Sequence, residues 1–101
     1  MKGFLILFIT VFLAHDTFSQ VSVKTFTFDS QSRKYRIYIP SGYNGNAVPV
    51  VFAFHGMGDN SANFMGIGLN TFANRDTFIA IYPDAYVEED GSINFGCHIP
   101  C

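Results

Sequence analysis

The stretch "VPVVFAFHGMGDN" at residues 48–60 decides the fold. Its first seven residues are all apolar, which is typical of a strand that is buried on both faces inside a sheet. The apolar run ends at His55, and a polar loop containing Gly56 and Gly58 follows. We therefore predict a buried strand over residues 48–54 whose carboxyl end leads into a glycine-containing turn.

A helix and a second apolar strand follow this turn. In residues 61–75 the apolar side chains of the second half recur at helical spacing: Met65, Leu69, Phe72 and Ala73. The segment "TFIAIYPDA" at residues 77–85 then forms an apolar strand that Pro83 closes. A strand, a helix and a strand in this order predict a βαβ unit with parallel strands and a right-handed crossover.

A hairpin is predicted before this unit. Residues 21–28 have the side-chain period of two that is typical of a strand, and in residues 33–39 charged residues alternate with aromatic and apolar ones. The segment "DSQ" at residues 29–31 supplies a turn between them. No period is evident in residues 86–101, which we predict to be a loop. The fold class is thus α/β, with an antiparallel edge hairpin followed by one βαβ unit. Because α/β sheets have more strands than this, we expect the first part of a larger domain.

Composition and net charge limit the classes of protein to which the chain can belong. The chain has 101 residues, of which 49% are hydrophobic and 14% charged, so it is globular rather than disordered. The formal net charge of -2 gives no basic surface for nucleic acid or for anionic membranes. We therefore predict neither nucleic acid nor a membrane surface as a partner.

The N-terminus has the pattern of a secretory signal peptide. Lys2 precedes an apolar run at residues 4–14, which is too short to span a bilayer. Small residues at Thr17 and Ser19 predict cleavage before Gln20, so residues 1–19 form the signal and residues 20–101 the exported domain. The protein is expected outside the cytoplasm, extracellular or periplasmic, with no stable membrane span after cleavage. A buried first element and an uncleaved anchor are the alternatives.

Two cysteines lie close to the end of the sequence. In an oxidising compartment we expect Cys97 and Cys101 to form a disulfide with each other or with cysteines not present here, and free thiols are the alternative. A metal site with His98 would lack a fourth ligand. The sequence also contains no Walker loop, H-E-x-x-H or G-x-G-x-x-G motif. We expect neither a metal nor a cofactor.

The turn after the first apolar strand can carry chemistry. Ligands of open α/β sheets bind beyond the carboxyl ends of the strands, and glycines there leave backbone N–H groups accessible. The N–H groups around Met57 and Gly58 are therefore candidates for holding an anion or an oxyanion. A plain tight turn, with glycines at positive φ, is the alternative. For His55 we favour a role as scaffold of the loop over a role as general base.

Polar residues beyond the turn have structural explanations. Ser61 lies at the predicted helix start and is assigned as its N-cap, a role that Asp59 and Asn60 also fit. Asp84, at the end of the second apolar strand, is assigned as a turn residue after Pro83. The chain contains no G-x-S-x-G motif that would present a nucleophilic serine.

An ordered set of motifs resembles one family. The segments "YRIYIPSGY", "PVVFAFHGMGDN", the "NF" that follows and "FIAIYPDA", within about residues 33–86, resemble the N-terminal part of secreted esterases of the polyhydroxybutyrate depolymerase and feruloyl esterase group. These esterases are α/β-hydrolases. A tryptophan often found near "NFG" in that group is absent, since this chain has no Trp.

The resemblance implies a set of roles. The backbone N–H of Met57 would be one donor of the oxyanion hole, with His55 and Gly56 shaping its loop. The nucleophile, acid and base of the triad come later in such chains, so none is assigned here. The resemblance thus implies a serine carboxylic-ester hydrolase acting on a polymeric or carbohydrate-linked ester, with these 101 residues inactive alone. A prolyl-oligopeptidase-type serine peptidase and a non-catalytic exported α/β binding module are the alternatives.

Overall fold

The computed structural model describes Gly3, residues 19–89 and residues 91–95. In chain order its elements are β1 (Gln20–Phe28), β2 (Gln31–Ile39), β3 (Val50–Phe52), α1 (Ser61–Phe64), a 3-10 helix (Met65–Ile67), α2 (Leu69–Asp76), β4 (Ile79–Pro83), β5 (Tyr86–Val87) and β6 (Ile93–Asn94). Most of the predicted signal peptide, together with Cys97 and Cys101, lies outside the described residues. Within the described part, no helix is long and apolar enough to cross a bilayer.

Strands β1 and β2 form the predicted antiparallel hairpin. Their register places Gln20 opposite Ile39 and Phe28 opposite Gln31. The two connecting residues, Asp29 and Ser30, both have positive φ, at 52° and 57°. A two-residue turn with this backbone matches the right-handed twist of the strands that it joins, so it holds the register of a long hairpin.

The predicted parallel pairing of the βαβ unit is also confirmed. Strand β3 pairs in parallel with β4, with Val50 opposite Ile79 and Phe52 opposite Ile81, and the connection between them contains the helices. Strand β4 also pairs antiparallel with β2, which gives the four-stranded order β1-β2-β4-β3. The sheet therefore joins the hairpin to the βαβ unit through β4.

The helical segment begins one residue earlier than the capping assignment implied. Asn60 is the N-cap of α1: its backbone is extended, and its side chain accepts a hydrogen bond of 2.9 Å from the N–H of Asn63. The assignment of Ser61 as N-cap is wrong, because Ser61 is the first helical residue and its side chain is buried. Gly68, with φ at 96°, then separates the 3-10 helix from α2.

The core lies between the sheet and the helices. Its buried members are Tyr38, Ala73, Ala80 and Tyr82. Tyr38 and Ala80 are opposite each other in the β2–β4 register, so they point to the same face of the sheet. Phe64 and Leu69 from the helices pack against this group, which places both helices on that face.

Two expectations about burial and loops are wrong. Strand β3 spans only Val50–Phe52 and lies at an edge of the sheet that the described residues form, with the Phe52 side chain 57% exposed rather than buried on both faces. The reason is that the described helices all cover the opposite face. Residues beyond β4 are not all loop either, since β5 and β6 pair antiparallel, and Gly91 turns between them at φ 83°.

Candidate functional site

The candidate site lies where two parallel strands end side by side. Because β3 and β4 run in the same direction, the loop after Phe52 and the residues after Pro83 meet at one edge of the sheet. This is the edge at which open α/β sheets bind their ligands. The chain thus brings together His55 and Ala85, the second residue after β4, although 30 positions separate them in sequence.

His55 is fixed by its two ring nitrogens. The imidazole is only 5% exposed, with Nδ1 lying 2.8 Å from the carbonyl oxygen of Gly56 and Nε2 lying 3.0 Å from the backbone nitrogen of Ala85. A carbonyl oxygen can only accept and an N–H can only donate, so the proton of the ring is on Nδ1 and Nε2 is the acceptor. The ring therefore couples the loop after β3 to Ala85, two residues past the end of β4, and neither nitrogen is left to take a proton from a substrate.

A tight turn at residues 56–59 presents a backbone donor. The Asp59 N–H donates to the carbonyl of Gly56 over 3.2 Å, and Gly58 has φ at 78°, which a residue with a Cβ rarely adopts. The Gly58 N–H is taken by the carbonyl of Ile93 at 3.2 Å. Met57 is 86% exposed, and among the described residues its N–H has no acceptor. Of the two candidate N–H groups, the one at Met57 is therefore accessible to a ligand oxygen.

Asp84 holds the helix start against the end of β4. Its Oδ1 accepts from the Ser61 N–H at 2.7 Å and its Oδ2 accepts from the Ser61 hydroxyl at 2.6 Å. Arg36 Nε donates to the same hydroxyl oxygen at 3.1 Å, and Lys34 Nζ lies 3.6 Å from Asp84 Oδ2. Burial raises the pKa of the Asp84 carboxyl, but the hydrogen bonds from Ser61 and the charge of Lys34 outweigh it, so this pKa lies below its ordinary value.

Ser61, His55 and Asp84 do not form a catalytic triad. Ser61 is 1% exposed and donates directly to Asp84, and within the described residues no hydrogen bond joins it to His55. A nucleophilic serine needs access to substrate, which the buried Ser61 lacks, and the carboxylate that accepts from its hydroxyl has a lowered pKa, which makes it a weak base. The described residues also contain no cluster of histidine, cysteine and carboxylate side chains suited to a metal ion.

Sequence reasoning missed the partnership of Asp84 with Ser61. It assigned the two to a turn and to a helix cap because each role is local, whereas the contact spans 23 positions. A signal was present, since Asp84 directly follows an apolar strand at its carboxyl end, where polar side chains of neighbouring segments converge. The β5–β6 pairing had a signal too: the dipeptide Asp90-Gly91 is a frequent hairpin turn.

Comparison with known proteins identifies the fold. No protein-family model matches the sequence, and no curated protein matches it. Among solved structures, an S-formylglutathione hydrolase from Agrobacterium tumefaciens matches with a TM-score of 0.60 at 20% sequence identity. The match covers 66% of this chain and 25% of the neighbour, so the chain spans about a quarter of that protein's length. The architecture is thus part of an α/β-hydrolase fold.

Proposed function

We propose that this chain supplies the oxyanion-hole loop and its scaffold to a secreted serine carboxylic-ester hydrolase. The donor is the backbone N–H of Met57, and His55 and Gly56 hold the loop that presents it. In the esterases that the sequence resembles, the serine that attacks the ester and the acid and base of its triad come later in the chain. The serine attacks the ester carbonyl and the alcohol leaves, and water then releases the acyl group from the serine as a carboxylic acid.

The observation that carries the proposal is the turn after β3. It leaves the Met57 N–H without an acceptor among the described residues, at the edge of the sheet where hydrolases of this fold bind substrate. His55 pins the turn through the carbonyl of Gly56 and the N–H of Ala85, so the donor is held in place before a substrate arrives. Preorganised donors of this kind stabilise the oxyanion because they need no rearrangement during the reaction.

Other features support the narrower parts of the proposal. The ordered motifs of residues 33–86 support the polyhydroxybutyrate depolymerase and feruloyl esterase group, whose substrates are polymeric or carbohydrate-linked esters. The charged, apolar and small-residue pattern of residues 1–19 supports export. The fold shared with an S-formylglutathione hydrolase supports hydrolysis in general and does not choose among esters.

The experiment removes the Met57 N–H while keeping the turn at residues 56–59. Proline is favoured at the second position of such a turn, so Met57→Pro deletes the N–H while its ring suits the backbone, and Met57→Ala keeps the N–H while deleting the exposed side chain. Both variants are made in the protein encoded by the complete open reading frame that contains these residues. Hydrolysis of p-nitrophenyl butyrate and thermal unfolding are measured for each.

We expect Met57→Pro to lower kcat by about 10²- to 10³-fold, the effect of losing one oxyanion donor, and Met57→Ala to stay close to the wild type. Both should unfold at similar temperatures. Equal activity of the two variants would show that the N–H is not used. A whole protein that hydrolyses no ester would favour a non-catalytic binding module instead.

A further inference from the structure

A cleft of about 460 Å³ adjoins the turn that carries Met57. It forms because the β1–β2 hairpin is longer than β4: the pairing of β2 with β4 stops at Tyr35 opposite Pro83, and the hairpin continues past that point. The overhang is one wall of the cleft, and Asp59 of the turn and Tyr86 after β4 belong to the facing side. The cleft is therefore continuous with the candidate site.

The hairpin wall contributes an unused set of hydrogen-bond donors. The Arg33 guanidinium lies over the Tyr86 ring, 5.0 Å from its centre, which fixes the position of the charge. Among the described residues, Arg33 has no carboxylate within ion-pairing distance and no acceptor for its side-chain N–H groups. Its neighbour Lys34 differs, because Lys34 is paired with Asp84.

The facing wall contributes an unused acceptor. Asp59 is half-buried, and one of its carboxylate oxygens accepts the N–H of Asn60 at 2.9 Å. In the described part of the chain, no cation pairs with Asp59 and no donor reaches its second oxygen. Arg33 and Asp59 thus line the same cleft without satisfying each other.

We propose that this cleft binds the hydroxyl groups of a carbohydrate. The further assignment of this carbohydrate as the alcohol half of the ester rests on the proposed function. A hydroxyl both donates and accepts, so neighbouring sugar hydroxyls satisfy Asp59 and Arg33 together. An anion would be repelled by Asp59 and a cation by Arg33. A polyester segment presents only acceptor oxygens, which would leave the Asp59 carboxylate desolvated without a donor.

The apolar part of the cleft fits the same class of ligand. Val87 and Ile93 line it beside the Tyr86 ring. Sugar rings present C–H groups on their faces and hydroxyls around their edges, so an apolar patch between polar walls matches both. Between the two substrate classes that the motifs allow, the cleft therefore selects the carbohydrate-linked ester. Sites that hydrogen-bond a hydroxyl discriminate strongly against analogues that lack it.

The test measures binding without any ester. Calorimetric titration of the whole protein uses xylotetraose as the carbohydrate and a 3-hydroxybutyrate trimer methyl ester as the hydroxyl-poor probe. The variants are Arg33→Gln and Asp59→Asn, and the matched control is Lys24→Gln, which removes an exposed cation from the same hairpin outside the cleft. We expect the Kd for xylotetraose to rise about tenfold in each cleft variant, as for the loss of a hydrogen bond to a charged group, and to stay unchanged in the control.

The outcomes separate this proposal from the proposed function. Failure of xylotetraose to bind, equal or tighter binding of the trimer, or equal weakening by Lys24→Gln would overturn the carbohydrate site. Selective xylotetraose binding by a protein that hydrolyses no ester would keep the site and remove the esterase. Ester hydrolysis without xylotetraose binding would keep the esterase and remove the site.

Discussion

Replacing Asp84 with alanine is expected to destabilise the fold by about 2–4 kcal/mol, because its carboxylate is the partner of a buried residue. The Asp84 side chain is 12% exposed, and both of its oxygens accept from Ser61, which is itself 1% exposed. The variant removes both acceptors but keeps the Asp84 backbone N–H, which donates to the carbonyl of Lys34 at 2.9 Å. The path of the chain after β4 is therefore preserved.

The magnitude follows from the donors that lose their partner. The N–H and the hydroxyl of Ser61 would both be left buried, and each unsatisfied donor costs about 1–3 kcal/mol, less where water enters the space left by the carboxylate. The ion pair with Lys34 adds little, since the lysine side chain is 50% exposed and such pairs contribute about 0–1 kcal/mol. Nearly all of the effect is thus expected from hydrogen bonding.

The assay is urea unfolding of the whole protein followed by circular dichroism, with Asp76→Ala as the matched control. Asp76 is a carboxylate too, but its side chain is 49% exposed and paired with its neighbour Arg75 on the surface. We expect the control to leave the free energy of unfolding close to that of the wild type, because solvent screens this exposed pair. If Asp84→Ala is no more destabilising than Asp76→Ala, the contact with Ser61 does not hold the helix to the sheet.

Three further predictions concern charge, tautomer and backbone. The stabilisation by the Asp84 carboxylate should be complete above about pH 4 and shrink below it. The pKa of Asp84 is lower in the folded chain than in the unfolded chain, so the unfolded chain binds the proton first as the pH falls. Urea unfolding at acid pH should therefore show the stability of Asp84→Ala converging on that of the wild type. The neutral imidazole of His55 should carry its proton on Nδ1, because Nε2 accepts from the N–H of Ala85; a ¹⁵N spectrum of the neutral ring showing the proton on Nε2 would contradict this. Gly68→Ala should cost about 1–2 kcal/mol through its φ of 96° alone, since the space around it is open, whereas Gly66→Ala, without that backbone, should be neutral in the same unfolding assay.

The backbone pairing was predictable because its signals are local. Alternation in the hairpin and the apolar run of β4 specify strands, and the helical spacing around Leu69 specifies α2. A connection through a helix then requires parallel pairing of β3 with β4. The position of β4 between β2 and β3 was not predictable in this way, because it depends on which strands meet across the sheet.

The candidate site was predictable only in part. Glycines after an apolar strand indicated an accessible backbone, and the structure leaves the Met57 N–H without an acceptor among the described residues. The engagement of Gly58 by Ile93 and of Ser61 by Asp84 joins segments far apart in sequence. Neither contact has a pattern of its own in a single sequence, because a polar residue gives no sign of which distant donor or acceptor it will meet.

The exposure of β3 shows what an apolar run does and does not specify. The run predicted a strand correctly, but the side of β3 that bears Phe52 faces a groove with Tyr35, Ile37 and Ile81 instead of a helix. Phe52 and Phe54 lie near each other there, with ring centres 6.4 Å apart, and remain 57% and 58% exposed. An apolar residue at every position indicates that burial of both faces of the strand would be favourable. The helices or loops that cover those faces must come from other segments of the chain. The described helices pack on the face of Tyr38 and Tyr82, so among the described residues only that face of the sheet is covered by helices. The prediction of two-sided burial is therefore wrong for the described residues, although the strand itself is confirmed.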